Sequence, residues 1–162
     1  MQTFTDTRRF TQTPDVVLAK YTDPDFLRRK YVELGRQDIE VLEQRIENGR
    51  ARLRIAYSDK AETDVPDFAR RFMPERTHVV QTVEWDLERK VGRIQFEPKG
   101  APVKVQGELR MEARDGGTLN TIRWTVRCAV PLIGGKLEKL LMESIRQKAA
   151  KDQSVSQKLL SA

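Results

Sequence analysis

The alternation of polar and apolar positions changes period twice along the chain. Residues 2–11 read as a first strand, with Phe4 and Phe10 on one face. Thr13-Pro14-Asp15 then marks a helix start, Thr as N-cap and Pro at the first helical position, and the segment 14–21 carries Val17, Leu18 and Tyr21. Asp23-Pro24-Asp25 opens a second helix at once. It spaces Phe26, Leu27, Tyr31 and Leu34 as one face and stops at Gly35.

From 36 to 130 the period is two. Ala51, Leu53, Ile55 and Tyr57 alternate with arginines, as do Val79, Val83, Trp85 and Leu87 with acidic residues. Val103, Val105, Leu109 and Met111, then Ile122, Trp124, Val126 and Cys128, continue the pattern. Turn signals at Asn48-Gly49, Lys90-Val91-Gly92, Pro98-Lys99-Gly100 and Asp115-Gly116-Gly117 make this a meander of about six hairpin-linked strands. In 36–47, Ile39 and Val41 disagree in parity with Leu42 and Ile46, which predicts a bulge. Residues 60–75 form a longer connection with one helical turn carrying Phe68 and Phe72.

After Pro131-Leu132-Ile133-Gly134-Gly135 the period becomes helical. Leu137, Leu140, Leu141, Ile145 and Ala149 form an apolar stripe, and Lys136, Glu138, Lys139, Glu143 and Arg146 fill the other side. Lys151 to Ala162 are polar enough that a frayed tail is expected at 151–162. No repeat or linker divides the chain, so residues 1–162 are expected to form one α+β domain.

Composition narrows the class. With 38% apolar and 33% charged residues, the 162-residue chain is that of a polar-surfaced globular protein. A lone Cys128 suits a reducing compartment, the N-terminus shows no secretory signal, and no run approaches the ~18 apolar residues of a spanning helix. A cytoplasmic location is expected. The net charge of +6 comes from scattered basic residues without interleaved exposed aromatics, so no nucleic-acid partner is expected.

The element order resembles the helix-grip fold of the START/Bet v 1-like (SRPBCC) superfamily: strand, two short helices, a meander and a long C-terminal helix. Two blocks give a narrower resemblance, to the bacterial DUF2505 family. One is Phe68-Ala69-Arg70-Arg71-Phe72 leading to Val79-Val80-Gln81-Thr82-Val83-Glu84-Trp85, and the other runs from Val130-Pro131-Leu132 through Ile133-Gly134-Gly135 to Lys136-Leu137-Glu138-Lys139. The resemblance implies a curved antiparallel sheet of about seven strands around the C-terminal helix, with a cavity between them. Superfamily members use such cavities for lipids, sterols and polyketides, and a minority do chemistry there.

Strand parity names the expected cavity wall. It comprises Tyr57, Val79, Gln81, Val83, Trp85, Phe96, Leu109, Met111, Trp124 and Val126, facing Leu137, Leu141 and Ile145 of the helix. Gln81 is a polar side chain in an apolar row and needs a partner: Tyr57, a backbone carbonyl, a water or a ligand. Asp6 and Arg8 share parity with Phe4 and Phe10, which predicts an inward ion pair. The Arg50-Arg52-Arg54 row is expected to pair with Glu84-Asp86-Glu88 on the outward face. Arg28-Arg29-Lys30 and Arg70-Arg71 have no such neighbours and are placed at the cavity mouth, where they would favour an anionic headgroup or membrane surface.

The only histidine, His78, has outward parity, so no nucleophile–His pair with the inward Cys128 is expected. One His and one Cys make no zinc set, and no Gly-rich phosphate loop occurs. No cofactor is expected. Three functions fit: a carrier or sensor of an apolar or amphipathic small molecule, a cyclase- or hydratase-like enzyme, and an interaction protein with a solid core. A polar cluster deep in the pocket marks the second, and filled space beneath the helix marks the third.

Overall fold

The structure, a computed structural model, describes residues 1–60 and 65–162, so residues 61–64 of the 60–75 connection lie outside it. The elements follow the predicted order: β1 (Gln2–Phe10), α1 (Pro14–Tyr21) and α2 (Pro24–Glu33), then the meander β2 (Gln37–Glu47), β3 (Arg50–Lys60), β4 (Arg76–Asp86), β5 (Val91–Pro98), β6 (Val103–Arg114) and β7 (Gly117–Cys128), and finally α3 (Gly134–Leu160). A 3-10 turn, Asp67–Ala69, precedes β4.

The helix starts lie where Pro sets the backbone. Asp23 caps α2 by accepting from the Asp25 N–H at 3.0 Å, whereas Thr13 makes no side-chain cap bond. At the end of α2, Gly35 takes φ +81° and the Arg36 N–H returns to the Tyr31 carbonyl at 3.0 Å.

All seven strands form one antiparallel sheet in the order β1-β7-β6-β5-β4-β3-β2, so the first strand closes against the last. Between β2 and β3, Asn48 and Gly49 both have positive φ, the geometry of a tight hairpin whose twist matches the strands. The expected irregularity in β2 is present, with register shifts between Gln37 and Glu40 and again between Val41 and Glu43. On the outer face Arg50 stands opposite Asp86 and Arg52 opposite Glu84, with Arg52 Nη1 2.9 Å from Glu84 Oε1. β4 ends at Asp86, so Leu87 and Glu88 lie in the turn instead of extending the strand.

The concave face packs against the three helices. Gly107 makes room there: a Cβ at this position would lie 2.8 Å from Ile94 Cγ2 and 3.2 Å from the Trp124 ring. A separate small cluster gathers Ala69, Cys128 and Leu137 under the loop before α3.

The tail expectation is corrected. α3 stays helical to Leu160, because its last turns bury Val155, Ser156 and Leu160. Gln153 and Gln157 complete the attachment: Gln153 Oε1 accepts from the Arg9 N–H, its Nε2 donates to the Arg9 carbonyl, and Gln157 Oε1 accepts from the Thr11 N–H. Polar residues that looked free to fray are bonded to the end of β1.

Candidate functional site

Between the concave sheet and α3 lies a cavity of about 270 Å³. Ten of the thirteen expected wall residues line it: Tyr57, Val79, Gln81, Val83, Trp85, Phe96, Leu109, Trp124, Leu141 and Ile145. Met111, Val126 and Leu137 do not. Met111 is buried near the end of β6, where α1 packs on β6 and β7, and Val126 is fully buried on β7, against which α3 lies. Leu137 belongs to the separate cluster with Ala69 and Cys128. Alternation identifies the inward face, but not where helices already fill the space.

The aromatic wall has defined geometry. The Phe96 and Trp124 rings lie 5.7 Å apart at 30°, reaching from β5 and β7 across the intervening β6, where Gly107 beside Trp124 carries no side chain. Gln81 is satisfied by protein: Tyr57 Oη donates to its Oε1 at 3.1 Å, and its Nε2 donates to Tyr31 Oη at 2.5 Å. Among the described residues, three buried side-chain polar atoms have no hydrogen-bond partner: Tyr21 Oη, Asn120 Oδ1 and Trp124 Nε1. All three residues line this cavity. Native interiors leave few such atoms, since each costs on the order of 1–3 kcal/mol.

Beyond the aromatic wall the lining becomes charged. The predicted Asp6–Arg8 pair is present, Arg8 Nε to Asp6 Oδ2 at 3.2 Å, but it is one part of a larger cluster. Arg8 Nη1 also bonds Asp152 of α3, and Lys30 Nζ reaches the same carboxylate at 3.1 Å. Asp59 sits 3.1 Å from Lys148 Nζ and 3.8 Å from Arg36 Nε. Burial drives the Lys30 ammonium down to about 8, against the attraction of Asp152. Burial acts to raise the Asp152 carboxyl, but Lys30, Arg8 and Arg36 outweigh it and hold it down to about 2. The Tyr57, Tyr31 and Tyr21 hydroxyls are pushed above the usual phenol range by burial.

Sequence reasoning placed Lys30 in an outward basic run at the cavity mouth, and the structure corrects this. Lys30 is buried, whereas Arg28 and Arg29 are exposed, and Arg28 donates to the Ile39 carbonyl. Arg70 pairs with Asp67 at the surface and Arg71 stacks on Phe72; neither lines the cavity. A signal for the missed residues was present. Lys30 lies one turn from Phe26 on the apolar stripe of α2, and Asp152 lies two turns from Ile145 on that of α3. His78 is exposed, Cys128 is buried, and no cluster of three His, Cys, Asp or Glu among the described residues could hold a metal ion.

A curved antiparallel sheet closed over a long C-terminal helix, with two short helices after the first strand, defines the Bet v 1-like helix-grip class. Solved structures share it. A protein of Thermus thermophilus, TTHA0849, is 19% identical at a TM-score of 0.64, covering 98% of this chain and 97% of that one. Ara h 8.0201 is 14% identical at 0.66, covering 99% of each chain. The Zhui aromatase/cyclase from a Streptomyces species is 14% identical at 0.64, covering 99% and 93%. Within this class, the chain belongs to the family described as "Protein of unknown function (DUF2505)", whose model matches residues 5–160. No curated protein matches the chain. No helix among the described residues is long and apolar enough to cross a membrane.

Proposed function

We propose that the protein binds or carries a hydrophobic or amphipathic small molecule, of lipid, sterol-like or polyketide-like character, in the cavity under α3. One observation carries this reading: among the described residues, the buried polar atoms left without partners all belong to residues of the cavity wall. A donor on Trp124 and an acceptor on Asn120, set among Trp85, Phe96 and Ile122, make a mostly apolar pocket with a few orienting polar groups. A solid-core interaction protein has no reason to keep such space. Arg71, stacked on the cavity-lining Phe72, puts positive charge beside the cavity, and a transient meeting with an anionic membrane during loading belongs to the same reading.

A second reading, cyclase- or hydratase-like chemistry on the held molecule, is favoured by Lys30, an amine brought down to about 8 on the cavity wall. One experiment addresses both. Protein purified from its own source is examined by native mass spectrometry, its bound molecule is extracted, and the molecule is then incubated with fresh protein. A discrete bound mass that returns unchanged supports the carrier. A time-dependent mass change that Lys30→Met abolishes supports chemistry. A clean apo mass with no uptake of the neutral apolar dye Nile red refutes both.

A further inference from the structure

The Arg36 guanidinium has unused capacity in this cavity. Its side chain is only 13% exposed and packs against two rings, 4.2 Å from the Tyr31 centroid and 4.3 Å from that of Tyr57. The helix stop at Gly35 sets this position, since the Arg36 N–H is tied back to the Tyr31 carbonyl and the side chain leaves from the junction of α2 and β2. Its nearest carboxylate oxygen, Asp59 Oδ2, is 3.8 Å from Nε, beyond hydrogen-bond reach, and already accepts from Lys148 at 3.1 Å. Among the described residues no carboxylate takes a hydrogen bond from the Arg36 side chain; its fork of donors lines the cavity with only the long ion pair to an Asp59 that Lys148 already engages.

The charges of the cluster agree. The cations Arg8, Lys30, Arg36 and Lys148 face the carboxylates Asp6, Asp59 and Asp152, which leaves one positive charge in excess. Asp6 and Asp152 are engaged by Arg8 and Lys30. The excess therefore falls at Arg36. Taking Arg36 as the head-group site, we infer that the ligand is an amphipathic carboxylic acid, its carboxylate on the Arg36 fork and its apolar body along Trp85, Phe96 and Trp124. A planar carboxylate meets a planar guanidinium through two parallel bonds, which an alcohol or ketone cannot do. At about 30 Å³ per water-sized group, the cavity encloses on the order of ten non-hydrogen atoms of such an acid. This inference rests on the cavity-binding reading and narrows its ligand class.

The test compares matched probes by isothermal titration at neutral pH: octanoate against octan-1-ol, and 2-naphthoate against 2-naphthol. The acid of at least one pair is expected to bind roughly 10- to 100-fold tighter than its neutral counterpart, and the favoured pair distinguishes an aliphatic from an aromatic body. Arg36→Met is expected to bring that acid level with its neutral counterpart. Neutral probes that bind while neither acid binds tighter would overturn the inference and leave the cavity reading intact. An acid preference that survives Arg36→Met would overturn it too, moving the head group to Lys30 or Lys148. Failure of all four probes would remove the cavity reading, and this inference with it.

Discussion

Asp152 offers the most direct test of the charged end of the cavity. Its side chain is 14% exposed and holds Lys30 and Arg8, which are 7% and 10% exposed. Replacing it with Ala leaves both cations buried without their shared counter-ion, and breaking such a pair from one side costs about 3–5 kcal/mol. The two cations respond differently. Lys30, already near 8, relieves its share by releasing its proton, whereas Arg8 cannot. Asp152→Ala should therefore lose about 3–5 kcal/mol at pH 7, and less at pH 9–10, where Lys30 is neutral in any case. The wild type carries its own pH signature. Asp152, near 2 when folded against 3.8 when unfolded, contributes about 2 kcal/mol that is present above pH 4 and lost as pH falls through 2. Lys30, lower in the folded than in the unfolded chain, makes stability rise with pH between about 8 and 10.5. Urea unfolding at pH 7 and pH 9.5 of wild type, Asp152→Ala, Lys30→Met and the double variant gives both the loss and the coupling. A loss under about 1 kcal/mol with no coupling to Lys30 would refute the cluster as a buried, mutually compensating network.

Three further outcomes follow from the packing. Gln81→Leu strands the Tyr57 donor and removes the bond to Tyr31, so thermal unfolding should show a loss of about 1–3 kcal/mol. Gly107→Ala places a methyl 2.8 Å from Ile94 and 3.2 Å from the Trp124 ring; it should cost about 1–3 kcal/mol and reduce Nile red uptake as the indole is displaced toward the cavity. Leu160→Ala removes a buried side chain from the last turn of α3 and should cost about 2–3 kcal/mol in urea unfolding, where a frayed tail would cost nothing.

The fold was legible in sequence because each element signals itself locally. Asn48-Gly49 and Asp115-Gly116 place hairpins by backbone conformation alone, with all four residues at positive φ, and the parity of 50–57 and 122–128 orients their strands without tertiary information. The site was legible only where parity was sufficient. Parity put Trp85, Phe96 and Trp124 on the correct face, yet it could not tell that α1 and α3 cover Met111 and Val126. The charged cluster was less visible still, because Arg8, Lys30, Arg36, Asp59 and Asp152 come from five separate elements or junctions. Individually each reads as a surface charge. Only the Asp6–Arg8 pair could be anticipated, two residues apart on one strand.

The closure of β1 onto β7 sets an order of events during synthesis. β1 is made before the other strands but has no partner until β7 follows: Phe10 waits for Thr118 and Gln2 for Val126. Arg8 waits longer, for Asp152, and Arg9 and Thr11 for Gln153 and Gln157. The meander from β2 to β7 can assemble hairpin by hairpin as it emerges, while these long-range pairings carry the largest loop-closure entropy and are the natural slow step. A nascent chain that has made all its local contacts thus still holds its internal cations without their counter-ion and β1 unpaired. Until the last turns of α3 arrive, the molecule is an open trough that a chaperone can recognise by exposed edge and charge.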